Sequence, residues 1–165
     1  MQYLPILQHP DSRLRVKATT VESFDEKLAN QADKMLATMY NANGIGLAGT
    51  QVDFHRRLIV VDVSESRDGP ITLVNPEILL IGETVSSEEG CLSIPGVHDT
   101  VKRSDRINIS AKSIDGSTLE MEAEGMLAIC VQHECDHLDG ILFIDHLSSL
   151  KRKRINEKLK RAPES

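Results

Sequence analysis

Met126-Leu127-Ala128-Ile129-Cys130-Val131-Gln132-His133-Glu134-Cys135-Asp136-His137-Leu138 is the stretch on which the reading of this chain turns. Residues four apart share one face of an α-helix, so His133 and His137 can reach a single ion while Glu134 points beside it. Two imidazoles hold a divalent metal, an open coordination position holds water, and the carboxylate moves that water's proton. A His-Glu-x-x-His pattern also arises by chance on exposed helices. Here the preceding run, Met126 to Val131, is too apolar for an exposed helix, and burying His-Glu-His without a partner is costly.

Two histidines leave a third ligand to be found. One metallopeptidase pattern continues His-x-x-Gly-x-x-His, but after His137 and Gly140 the ligand position holds Phe143. Glu157 has the spacing used by another class, yet it stands in Lys151-Arg152-Lys153-Arg154-Ile155-Asn156-Glu157-Lys158, where pairing with basic neighbours on an exposed helix explains it better. Cys130 shares the face of the histidines, but it lies about 10 Å of helical rise before His137 and suits lining more than ligation. Cys135 projects from the opposite side as a small packed residue. Cys91 remains, in Glu88-Glu89-Gly90-Cys91-Leu92-Ser93-Ile94-Pro95-Gly96. A thiolate beside a divalent metal is charge-compensated, whereas on composition alone a buried loop cysteine is the commoner case.

Outward from that helix, Gly140 is its stop, and a further helix is expected over 148–160. Upstream, Arg106 to Lys112 and Thr118 to Glu124 read as strands joined by a turn at Asp115-Gly116, preceded by strands at Leu58 to Val63, Ile71 to Leu80 and Val97 to Arg103. Ser23-Phe24-Asp25-Glu26 reads as a capping box for a first helix carrying Leu28, Met35, Leu36 and Met39 and ending near Asn43-Gly44. Helix, strands, helix, helix is an α+β order.

The 165 residues fit one domain, expected over 1–165 with 148–165 as a basic terminal helix. With no Trp and 3% aromatics, the core must come from Leu, Ile, Val, Ala and Met. Three cysteines and a start lacking the basic and apolar regions of a signal peptide suit a reducing cytoplasm. No apolar run is long enough to cross a bilayer as a helix. The net charge of −6 is segregated: residues 151–165 carry seven Lys/Arg against two Glu, leaving about −11 on the body. Such a body is unsuited to general or sequence-specific nucleic-acid binding, while the tail can meet RNA phosphates or an acidic protein.

Three separated segments, Gly44-Ile45-Gly46-Leu47-Ala48-Gly49-Thr50-Gln51, Glu89-Gly90-Cys91-Leu92-Ser93 and Gln132-His133-Glu134-Cys135-Asp136-His137, resemble in order and spacing the three signature motifs of the peptide deformylase family. The similarity continues through Leu138-Asp139-Gly140-Ile141-Leu142-Phe143-Ile144-Asp145 and covers nearly the whole chain. It implies a single α+β domain with mixed or antiparallel sheets around a central metal-binding helix, flanked by N- and C-terminal helices. The implied activity is metal-dependent hydrolysis of the N-formyl group from the N-terminal methionine of newly synthesised proteins, with release of formate.

By the same resemblance, Cys91, His133 and His137 bind the metal, Fe²⁺ natively, with Zn²⁺, Ni²⁺ or Co²⁺ able to occupy the site. Glu134 is the general base and acid. The Gln51 side-chain amide and the Leu92 backbone N–H hold the oxyanion, a task for fixed neutral donors. Gly44, Ile45, Gly46, Glu89 and Gly90 line a cleft where an extended peptide adds like a strand. Ile45, Met126, Ile129, Cys130 and the His133 ring form the methionine pocket. Met126 and Cys130 also share the metal-facing side of the helix by periodicity, whereas Ile129 is placed by the resemblance alone, and core filling is the alternative for each. His98 stands where relatives commonly carry Arg, which implies a weaker hold on the downstream peptide near neutral pH. The implied partners are formyl-methionyl nascent chains and, through the basic helix, the ribosome, in a bacterial cytoplasm without membrane contact. Two other readings are a zinc endopeptidase and a non-enzymatic protein with a structural metal. The first lacks a third ligand once position 143 is Phe, and the second lacks a fourth protein ligand.

Overall fold

A computed structural model describes residues 3–161; the last four residues of the expected tail, 162–165, lie outside that range. The first helix, α1, spans Glu26–Asn41. Its N-cap is Asp25, whose Oδ1 accepts the Leu28 N–H at 3.0 Å, so the capping role expected of Ser23 falls two residues later.

Seven strands follow: β1 (Gly46–Ala48), β2 (Leu58–Val61), β3 (Ile71–Leu80), β4 (Thr84–Cys91), β5 (Ile94–Ser104), β6 (Arg106–Lys112) and β7 (Thr118–Glu124). Then come α2 (Gly125–Leu138) and α3 (Ser149–Arg161). Five strands form one sheet in the order β1-β2-β3-β6-β7, and β4 pairs with β5 in a separate hairpin; every ladder between these strands is antiparallel. The α+β architecture with a central helix is therefore present, with two strands, β1 and β4, beyond those expected.

The core is organised by the two-residue alternation of β2, a strand buried on both faces. Leu58 and Val60 meet Leu28, Ala32, Met35 and Met39 of α1, while Ile59 and Val61 meet Ala128, Val131 and Leu138 of α2. One strand thus fixes both helices, and α2 is pressed between the sheet and the β4-β5 hairpin. A third cluster joins Ile94, Val97 and Val101 of β5 to Leu142, Phe143 and Ile144, with Ile155 and Leu159 of α3 packed against it. At mid-helix α2 is tied to the end of β5 by Gln132, whose Oε1 accepts the Ser104 N–H at 3.0 Å and whose Nε2 donates to the Ser104 carbonyl at 2.7 Å.

Candidate metal centre

The helical repeat of α2 sets the His133 and His137 rings 4.9 Å apart between centroids, with their Nε2 atoms separated by 3.2 Å. The β4-β5 turn delivers Cys91, whose Sγ lies 3.3 Å from His137 Nε2. These three ligand atoms all lie within 4.8 Å of one another. Two imidazole lone pairs and a sulfur converging in a buried space repel one another unless something positive sits between them, so the donor set fits a divalent cation with a coordination position left over.

The histidines are oriented for that task. His133 Nδ1 lies 2.9 Å from Glu89 Oε1, and donation to that carboxylate leaves Nε2 free for the ion. Glu89 is in turn gripped by Arg103, with Nε to Oε2 and Nη2 to Oε1 both at 2.9 Å. Arg103 Nη1 continues to Asp136 Oδ2 at 2.7 Å, and His146 Nε2 closes the chain at 2.8 Å from that same oxygen. Burial opposes the Glu89 charge, but Arg103 and His133 overcome it and hold the carboxyl down at about 2. Burial, aided by the neighbouring His133, pushes His137 well below the ordinary imidazole range, towards the neutral form that ligates.

Glu134 is buried, and its Oε1 has no hydrogen-bond partner. Burial raises its carboxyl to about 7, reinforced by the Glu89 charge and opposed by His133. A carboxyl poised near neutrality beside an open ligand position suits proton transfer in both directions. Gly46 makes the approach possible, since a Cβ there would fall 2.4 Å from Glu134 Oε2.

Opposite Glu134, Gln51 accepts the Ala48 N–H on Oε1 at 2.9 Å, which turns its Nε2 towards Ser93 Oγ at 3.1 Å and Cys91 Sγ at 3.5 Å. Its amide donors therefore face the Cys91-Leu92-Ser93 turn. The Ser93 N–H also points at Cys91 Sγ, at 3.4 Å. A cleft of about 440 Å³ opens over these groups, lined by Gly44, Ile45 and Gly46, by Glu89, Gly90, Cys91 and Leu92, and by Met126, Ile129 and Cys130 of α2.

The expected ligand, proton-transfer and cleft residues meet at one place, whereas the weaker ligand candidates Cys135 and Glu157 lie elsewhere. Glu89 borders the cleft, but both its carboxylate oxygens are occupied by Arg103 and His133, so it orients the His133 ring. Met126 and Ile45, 55% and 41% exposed, stand at the mouth. Burial pushes the Cys130 thiol well above its ordinary value, keeping it protonated, and its Sγ meets the Ile45 carbonyl at 3.5 Å, outside the ligand set. Cys135 is buried against the sheet, Phe143 is buried and stacks on the His133 ring, and Glu157 is exposed on α3. Sequence reading missed Arg103 and Asp136. Val97, Val101 and Arg103 share one parity of β5, and an arginine on that core-facing side was the available signal.

Fold and site together define the class as a metallohydrolase, with one cysteine and two histidines grouped where they could hold an ion. The polypeptide deformylase family model matches residues 3–153. A peptide deformylase of Chromobacterium violaceum is 54% identical over 98% of this chain and 96% of its own length, and one from Chromohalobacter salexigens is 51% identical over 98% and 95%. A Legionella pneumophila peptide deformylase structure superposes with a TM-score of 0.92 at 43% identity, covering 98% of this chain and 100% of the other. One from Ehrlichia chaffeensis in complex with actinonin gives 0.94 at 37%, covering both chains completely. The chain belongs to the polypeptide deformylase family, metal-dependent hydrolases that remove the N-formyl group from N-terminal methionine.

Proposed function

We propose that this chain deformylates nascent formyl-methionyl peptides with Cys91, His133 and His137 as metal ligands, Glu134 as proton carrier and Gln51 with the Leu92 N–H as oxyanion donors. The observation that carries this reading is the buried Glu134 carboxyl, with Oε1 unpartnered, lining the same cleft as Cys91 and His133, two of the three convergent donors. A bound divalent ion supplies Lewis acidity for the attacking water and the formyl oxygen. Fe²⁺ is the proposed ion, since a thiolate with two imidazoles accommodates iron as well as Zn²⁺, Ni²⁺ or Co²⁺.

Glu134 takes the proton from the attacking water and later gives it to the departing amine, restoring its starting state. Gln51 and the Leu92 N–H meet the developing oxyanion as fixed neutral donors that need not reorganise. The peptide lies extended between the Gly44–Gly46 segment and Gly90, with the methionine side chain directed to Ile45, Met126, Ile129 and Cys130. Glu134→Gln protein that keeps its metal should release formate from a formyl-Met tripeptide roughly 10²–10⁴-fold more slowly, measured anaerobically with and without chelator. Full turnover in that variant, or chelator-insensitive release by the unaltered protein, would overturn the assignment.

A second proposal concerns α3, which buries no residue and carries Lys151, Arg152, Lys153, Arg154, Lys158, Lys160 and Arg161. This basic helix suits docking on ribosomal RNA phosphates near the emerging chain in a bacterial cytoplasm. No described helix is long and apolar enough to cross a membrane. Co-sedimentation with ribosomes should weaken with salt and vanish on deleting residues 148–165; binding that survives the deletion would refute the proposal.

A further inference from the structure

Between β2 and β3, residues 62–69 form a loop wound around one buried carboxylate. Asp62 accepts the Tyr40 hydroxyl at 2.5 Å, the Ser64 hydroxyl at 2.6 Å, and the backbone N–H groups of Ser64 and Gly69 at 2.9 and 3.2 Å. Arg67 leaves this hub in the left-handed region, at φ 59°, which is uncommon for a residue with a side chain. Its guanidinium lies 5.1 Å over the Tyr40 ring, donates to the Asp62 carbonyl at 3.4 Å and donates again to the Gly44 carbonyl. The Asp62 N–H donates to the Ile45 carbonyl at 2.8 Å.

Two consecutive carbonyls of the cleft wall are therefore fastened to this loop from behind. That wall is bare backbone at Gly44, where a Cβ would fall 2.7 Å from Leu92 Cδ1, so no side chain of its own can hold it in place. We infer that Arg67 is a positioning residue for substrate: by clamping the Gly44 carbonyl it fixes the strand-like wall along which the downstream peptide lies. The inference rests on the deformylase reading above and extends it to residues beyond the formyl-methionine. Glu134 abuts Gly46, so an extended peptide whose formyl group reacts there draws level with Gly44 about two residues later. Loosening Gly44 should therefore weaken longer substrates more than short ones.

The test compares N-formylmethionine with a formyl-Met tripeptide on metal-loaded enzyme. Arg67→Ala is expected to raise the tripeptide KM about tenfold, with kcat and metal content within about twofold and N-formylmethionine little affected. Arg67→Lys, which keeps one donor for Gly44, should recover part of the KM loss. If Arg67→Ala does not fold, Arg67→Lys and Arg67→Gln carry the same length comparison. Equal losses on both substrates, a fall in kcat at unchanged KM, or a lowered melting temperature with unaltered kinetics would each overturn the role. Failure of the unaltered protein to release formate would instead overturn the functional reading beneath it.

Discussion

The two helices that end the chain are nearly equal in length and opposite in every physical respect. Of the 14 residues of α2, nine are buried, including Gln132, His133, Glu134 and His137; of the 13 residues of α3, none is. On α2 the desolvation of Gln132 and His133 is offset by specific partners, Ser104 and Glu89, whereas Glu134 Oε1 and His137 Nδ1 are buried with none. The cations of α3 remain in water, where individual contacts such as Lys151 with Asp99 at 3.1 Å contribute little. Charge is densest on α3, yet the chemistry sits on α2, because the functional signal is polarity that has been taken out of water.

The contrast is broken most directly by equivalent truncations on each helix. Leu138→Ala on α2, at a residue with no exposure, should cost about 2–5 kcal/mol in denaturant unfolding, against about 0.5 kcal/mol or less for Arg154→Ala on exposed α3. Similar losses would show that α3 contributes to the core as α2 does.

A smaller effect is expected one step back from the metal. Glu89→Gln should lower metal affinity about 10–100-fold in a chelator competition, since the His133 ring loses the carboxylate that orients it. The same variant has a pH signature. The folded Glu89 carboxyl is depressed to about 2, so its contribution to stability is fully present above the unfolded value of about 4.3 and is lost as pH falls towards the folded one. Wild type should therefore lose stability between those values more steeply than Glu89→Gln; parallel curves would remove Glu89 from that role.

How much of this was legible in the sequence differs between these regions for a physical reason. His133 and His137 could be read because residues four apart share a helical face, and Cys91 because its segment resembles a family motif; the three do group in space. The strands β6 and β7 could be read because apolar residues alternate along them, and β2 and β3 because they are short β-branched and apolar runs bounded by turn residues. β4 was missed, as Thr84-Val85-Ser86-Ser87-Glu88-Glu89-Gly90-Cys91 has no apolar alternation: its buried positions are Ser87 and Glu89, and Glu89 is held there by Arg103 and His133. β1 was missed because three residues, Gly46 to Ala48, are too few to show a period. The first helix was found and its cap misplaced by two residues, since Ser23 and Asp25 are both competent caps and only the backbone decides between them.

The hairpin also bears on how this sequence can drift. Glu88 and Glu89 are neighbours on opposite faces of β4, and Cys91 pairs with Ile94 across a two-residue turn. An insertion of a single residue in that turn could leave two strands paired and an acidic side chain facing Arg103, while directing the thiol away from His137. Such a variant would keep the hairpin and separate Cys91 from the two histidines. The connection Leu92-Ser93 is therefore a place where length constrains the site more than composition does.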